Sequence, residues 1–262
     1  MGTGAHARGL IAAAPNAPDY DAAVTATLAE RVAGVATGLA AAIVVVAIAI
    51  LPFLTPAWVS FEQGRTSAAR LAGYSETDLR TATDAILHDL VLGPSDFSVE
   101  VAGAPVLEER ERAHMRDVRG AFAGFALLAI FALVVLLAGV VGAARLGHPE
   151  RAWRAIATAM RVLIVAIAVA GVVATVAFDA AFEVFHQLFF PTGSYTFDPG
   201  TDRLVQLFPF DFWSETTIAL GAVIIVLALL VAWGTGRLAR RAGRPADASY
   251  EPAAVLPSEA RR

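Results

Sequence analysis

The chain has 262 residues, 57% hydrophobic and 17% charged, with a mean hydropathy of +0.62 and a formal net charge of −4. A soluble domain is about half apolar and about a quarter charged, so this balance points to a membrane. There is no cysteine and no lysine, which excludes disulfides, cysteine-ligated metals, thiolate catalysis and Schiff-base chemistry; no basic stripe suggests nucleic acid.

Residues 1–30 form an Ala/Gly/Pro-rich leader, predicted to be disordered and cytoplasmic. The first apolar run, Ala33 to Leu54, is closed by Pro52 and Pro56 and is too long for the core of a signal peptide. Next, Ser75 can cap a helix, with Asp78 three residues on. Leu79, Ala82, Ile86 and Leu90 recur at helical spacing, predicting an amphipathic helix that lies on the outer membrane surface. Gly93 and Pro94 end it, Phe97, Val99 and Val101 alternate as in a short strand, and Gly103 turns the chain. A charged helix from Glu108 to Arg119 leads into the second run, Ala121 to Ala144. The third run begins at Val162, stays apolar to Phe178 and is predicted to continue as one helix through Asp179 toward His186. The fourth is Thr216 to Gly234, and the tail from 241 to 262 mixes Pro, Ala and charge as disordered segments do. Each run approaches the ~20 residues that span hydrocarbon as a helix. The expected fold is therefore an all-α membrane protein. Four transmembrane helices within 31–240 carry a small extracellular cap, built from 55–118 and 189–215, with room for one short strand.

Arginine placement sets the orientation. Arg145, Arg151, Arg154 and Arg161 crowd the connection between the second and third runs, and Arg237, Arg240, Arg241 and Arg244 follow the fourth. The connection between the third and fourth holds only Arg203 among Asp198, Asp202, Asp211 and Glu215. Both termini are expected in the cytoplasm and the cap outside a bacterial plasma membrane.

Of five histidines, His6 falls in the leader, His148 in the cytoplasmic connection and His88 on the amphipathic helix, where solvated roles are the default. His186 ends the third helix. On a helical wheel Asp179, Glu183 and His186 share one face, and Phe178, Phe182, Phe185 and Phe189 another. Ionisable groups near membrane depth usually face the bundle interior with a partner, and a neighbouring carboxylate can fix a histidine's tautomer. His114 lies just before the second span, at the same outer level, with Asp117 three residues on and Arg110 four back. Two such histidines can divide acid and base work near neutral pH, or both can be structural. A metal site from His114, His186 and a carboxylate is conceivable, but nothing in the spacing demands one, and neither metal nor cofactor is expected. The loop from Phe189 to Trp213 carries eight aromatic residues, including Phe190, Tyr195, Phe197, Phe208, Phe210 and Phe212. That density fits an interfacial belt or an aromatic pocket for an acyl or glyceryl group.

HMRDV (His114 to Val118), FxxFHxxFF (Phe182 to Phe190) and DPGTDRLVQLFPFDFW (Asp198 to Trp213), in this order around the last three spans, resemble the lipoprotein intramolecular transacylase family. The resemblance covers about Ala33 to Leu238; Tyr195 and Phe210 depart from its pattern. It implies four membrane helices, an extracellular cap, and catalysis by two histidines, here His114 and His186. It also implies transfer of the sn-2 acyl chain of a diacylglyceryl-modified lipoprotein to the α-amino group of its N-terminal cysteine. Asp117, Asp179, Glu183 and Arg116 are the expected supporting groups. Phe182, Phe185, Phe189, Phe190, Tyr195, Asp202, Phe208 and Trp213 are the expected substrate-binding groups. The expected partners are the lipoprotein substrate and membrane lipid, and the protein is expected to act as a monomer. A non-catalytic membrane assembly protein with a lipid-binding aromatic cap is the alternative.

Overall fold

The computed structural model describes residues 17–190 and 194–243. Helix α1 (Ala17–Ile50) ends in a 3₁₀ turn, Leu51–Leu54, where Pro52 removes a donor and stops the ladder. The cap follows with α2 (Pro56–Arg65), α3 (Ala68–Ala72), α4 (Glu76–Val91) and a hairpin of β1 (Glu100–Val101) and β2 (Ala104–Pro105). Then come α5 (Glu109–Arg145), α6 (Pro149–Val176), α7 (Phe178–Phe189), α8 (Arg203–Leu207) and α9 (Phe210–Ala242).

Among the described residues, α1, α5, α6 and α9 are the helices long and apolar enough to cross a membrane. Their outward side chains, such as Val35, Ile130, Phe131, Val165, Val172 and Leu230, are half or more exposed. Water would penalise that surface, whereas hydrocarbon does not. Contact between spans therefore rests on close packing of small groups. Ala41, Val45, Ile156, Met160 and Ala228 form the buried seam. At Gly38 an added Cβ would stand 3.0 Å from the Ala159 Cβ and 3.1 Å from the Ala155 carbonyl oxygen, so α1 and α6 approach as they do only because no side chain is there.

The cap has its own core of Leu79, Ala82, Ile86, Phe97, Val99, Val101, Met115, Leu204 and Leu207. This corrects the expectation for α4. The apolar stripe is present, and Ser75 caps it by accepting from the Asp78 N–H at 3.1 Å, but the stripe is buried against the hairpin, α5 and α8 instead of lying on a membrane surface. Phe97, Val99 and Val101 alternate inward as expected, yet the ladder is only two residues long, closed by Ala102 (φ 52°) and Gly103 (φ 78°). That pair of left-handed residues makes the tight hairpin turn.

Two boundaries also differ from the reading of the chain. Helix α1 starts at Ala17, so part of the 1–30 leader is helical. From Ala17 to Arg31 the chain is rich in good helix formers and holds only Pro18, within the first turn where proline is tolerated. Glu30 pairs with Arg151 at 2.6 Å. Residues 1–16 and the tail beyond 243 lie outside the described residues. The third run is not one helix: Ala177 leaves helical geometry (φ −143°, ψ 49°), and α7 begins anew at Phe178. No proline or glycine marks the break; it falls where α6 gives way to an aromatic face, with Phe178 packed on Phe210 of α9 at 4.9 Å and Phe182 on His186 at 3.9 Å.

Glu111 locks cap to membrane helix. It is buried, and it closes a capping box with Glu108 at the start of α5, accepting from the Glu108 N–H at 2.7 Å. Its other oxygen accepts from the Leu204 N–H of α8 at 2.6 Å. Glu111→Ala strands the buried Leu204 N–H, at about 1–3 kcal/mol, and releases the part-buried Glu108 N–H. Thermal unfolding in detergent should show a lower Tm, with proteolysis entering the cap first; an unchanged Tm would show that the lock carries no weight.

Candidate active site

The break at Ala177 aims α7 across the first turns of α5, and this brings His114 and His186 face to face. Their ring centroids lie 6.1 Å apart with planes inclined by 25°. Both side chains are buried, at 6% and 9% exposure. Phe190 packs on both, 5.0 Å from His114 and 5.6 Å from His186. Phe197 covers His114 at 5.4 Å, while Phe182, Phe185 and Tyr195 surround His186 at 3.9, 5.3 and 4.9 Å. The result is an imidazole pair in an aromatic cage at the cap end of the bundle.

His186 Nδ1 is 2.8 Å from the carbonyl oxygen of Phe182. A carbonyl can only accept, so Nδ1 holds the proton and Nε2 keeps its lone pair. Burial lowers the His186 pKa below its ordinary 6.5, against a smaller upward pull from the Phe182 bond and the Glu183 carboxylate. The ring is therefore neutral and basic at neutral pH. His114 Nδ1 has no hydrogen-bond partner among the described residues and is left to a substrate or an ordered water.

The surrounding carboxylates are placed otherwise than a helical wheel suggests. Glu183 accepts from the Tyr195 hydroxyl and the Gln187 amide, both at 2.8 Å. Those bonds hold Glu183 below the usual carboxylate range and push the Tyr195 phenol up. Asp179 is exposed in the first turn of α7, and the carbonyl of Phe182 takes the place expected for a carboxylate at His186. Asp117 accepts from the Ser194 hydroxyl at 3.1 Å. Arg116 points away, to Glu109 at 2.7 Å.

Asp202 is buried and forms a latch. It accepts from the Asp198 N–H and from Arg110, each at 2.6 Å, and these bonds lower its pKa. Arg110 also donates to the Thr196 carbonyl at 2.6 Å and lies 5.0 Å over the Phe197 ring. So Arg110 holds Phe197 against His114, a role that its position four residues before the histidine does not suggest. Two residues apart, Tyr195 and Phe197 serve one histidine each, and that spacing in the aromatic loop was the available signal. Phe189 stacks on Phe185 at 4.7 Å and is half exposed. Phe208 and Trp213 belong to a separate aromatic group around Phe212, with Phe208 also packed on the cap core. Among the described residues no three His, Asp or Glu side chains converge as metal ligands.

The sequence pattern of the family described as lipoprotein intramolecular transacylase Lit matches residues 35–213. Three solved structures of the membrane-integral lipoprotein intramolecular transacylase Lit from Bacillus cereus are similar in fold at 16% identity. One has a TM-score of 0.67 and covers 82% of this chain and 97% of that one. A variant with a histidine replaced by arginine has a TM-score of 0.69 over 85% and 97%, and one with a histidine replaced by alanine has 0.68 over 83% and 97%. No curated protein sequence matches. The paired histidines thus sit within a matched stretch that covers more than half of the chain, and the chain belongs to the lipoprotein intramolecular transacylase family.

Proposed function

We propose that this protein moves the sn-2 acyl chain of a diacylglyceryl-modified lipoprotein to the α-amino group of the same molecule's N-terminal cysteine, leaving a lyso-form lipoprotein. The observation that carries the reading is the His114–His186 pair, buried in its aromatic cage with a free lone pair on His186 Nε2. The amine nitrogen attacks the ester carbonyl carbon. A C–N bond forms, the bond to the glyceryl oxygen breaks, and the amine loses the proton that the glyceryl alkoxide gains. His186 Nε2 takes that proton, and His114 supplies an N–H to the carbonyl oxygen and then the alkoxide. When the proton passes across the pair, both rings return to their starting state, so no acyl-enzyme is needed. Phe182, Phe185, Phe189, Phe190 and Tyr195 hold the acyl–glyceryl region and exclude water. Phe208 and Trp213 line the route from the lipid. Asp117, Glu183 and Asp202 act through Ser194, Tyr195 and Arg110; Arg116 and Asp179 face outward toward the headgroup layer. The protein works as a monomer in a bacterial plasma membrane, cap outside and both termini in the cytoplasm.

His186→Ala and His114→Ala should each reduce turnover by about 10² or more while leaving the fold intact, with His88→Ala unaffected. The readout is mass spectrometry of lipoprotein N-termini. A base is lost as pH falls through its folded pKa, so the acid limb of kcat/KM should lie below pH 6.5, the ordinary value that burial lowers. Glu183→Gln removes a group that raises that pKa and should move the limb lower still; a limb above 6.5, or one that His186→Ala leaves in place, would reject His186 as the base.

Donor and acceptor on one molecule mean that no label crosses between substrates. Two lipoproteins are mixed, one with an isotope-labelled sn-2 chain and one with an unlabelled chain on a distinguishable peptide. Tethering gives high effective molarity, so label should stay with its own peptide. Exchange at a rate comparable with self-transfer would reject the intramolecular step.

The cysteine-free chain also suits topology mapping. Glu100→Cys in the hairpin should react with an impermeant thiol reagent on intact cells, and Leu146→Cys only after lysis. The reverse pattern would overturn the orientation.

A further inference from the structure

A second candidate site lies at the other end of the bundle from the histidines. Arg154 and Arg161 of α6 and Arg240 of α9 line a cavity of about 450 Å³, completed by Ala157, Thr158, Gly236, Ala239 and Gly243. The small residues leave the cations bordering open space. A Cβ added at Gly236 would only touch Arg240 Nη1, at 3.6 Å, and one at Gly243 would stand 3.7 Å from Arg154 Nη2, so both glycines adjoin the guanidinium groups and a longer side chain there would enter the cavity. Ala157 and Ala239 are buried at 3% and 7% exposure and form the floor where the two helices touch.

Three guanidinium groups around one cavity repel one another. Among the described residues none of the three forms an ion pair, although nearby Arg151 is satisfied by Glu30 at 2.6 Å and Glu150 is turned to His148 at 3.6 Å. The level of the cavity is equally telling. Arg161 immediately precedes the uncharged stretch of α6 that starts at Val162, and Gly236 closes the apolar part of α9. The cavity therefore lies at the boundary between the apolar and charged parts of both helices, which is the level of a lipid headgroup.

We propose that this cavity binds the phosphate headgroup of an anionic phospholipid. Guanidinium and phosphate match as paired donors and acceptors, and basic pockets between membrane helices suit such headgroups. A zwitterionic headgroup carries its own cation, which three arginines repel, so net negative charge is the selected feature. This site is independent of the acyl-transfer reading, and it is tested without activity.

The experiment is native mass spectrometry of the purified full chain in detergent, titrated with dioleoyl phosphatidylglycerol or dioleoyl phosphatidylcholine, and in a further arm with inorganic phosphate as competitor. Arg161→Gln with Arg240→Gln should weaken phosphatidylglycerol binding by about tenfold or more. The charge-matched Arg145→Gln with Arg241→Gln, outside the cavity, should change it little. Gly236→Leu fills the cavity with every charge kept and should weaken the same binding, which keeps the test sharp if the double variant folds poorly. Equal binding of the two lipids, equal loss in both double variants, or no effect of Gly236→Leu would overturn the site. Displacement of lipid by millimolar inorganic phosphate would assign the cavity to free phosphate and overturn the lipid.

Discussion

The architecture depends on one helix outrunning the membrane. Helix α5 has 37 residues, which at ~1.5 Å per residue is nearly twice the ~30 Å hydrocarbon thickness. Its first turns therefore stand clear of the lipid as a rigid mast. Glu111 and Arg110 sit on that mast three and four residues before His114, and the three do different things. Glu111 ties the mast to α8, Arg110 ties it to the Asp202 loop, and His114 enters the cage. A site built on the stem of a membrane helix inherits the stiffness of the bundle, which loops alone would not supply.

The electrostatics follow from how fully the nearby charges are occupied. Glu183, Asp117 and Asp202 each accept from a named donor, and none accepts directly from an imidazole, so the pull of Glu183 on His186 is smaller than the effect of burial. The tautomer of His186 is set by a neutral carbonyl instead. A carbonyl orients the ring without stabilising its protonated form as strongly as a carboxylate would, and burial then leaves the ring neutral. In the proposed transfer that suits a base whose partner is an amine, because a proton held too tightly on His186 could not pass through His114 to the alkoxide.

Much of the fold was legible because lipid imposes a simple rule: an uninterrupted apolar run of about twenty residues has few alternatives to a spanning helix. The four runs, the cap and the shared level of His114 and His186 follow from it. Less legible was anything decided between elements. The stripe of Leu79, Ala82 and Ile86 reads the same whether it meets lipid or Met115 and Leu207. The wheel that groups Asp179 and Glu183 with His186 describes one helix in isolation, and ignores the carbonyl four residues back that lies within reach of every helical side chain able to donate. Tyr195 comes from outside α7 altogether and takes Glu183 for itself. Ala177 carries no breaker chemistry, so the kink that makes the site belongs to tertiary packing. Buried Glu62 of α2 was equally silent: burial, then Glu215, push its carboxyl up to about 7, through a neighbour more than 150 residues distant in the chain.

Amide formation from an ester needs an amine that is uncharged at the moment of attack, and it competes with hydrolysis wherever water can reach the same carbonyl. In the proposed transfer the cage meets both demands with one device. Aromatic rings on every described side of the two imidazoles lower the local dielectric, which disfavours ammonium as well as imidazolium. The same rings present apolar surface rather than hydrogen-bonding groups to any water that enters. The polar groups that could have hydrated the site, Tyr195, Glu183, Gln187, Ser194 and Asp117, are bonded to one another around its rim. For the proposed transfer, a centre lined by rings and a rim whose polar groups are already bonded favour the nucleophile tethered to the substrate over any that must diffuse in.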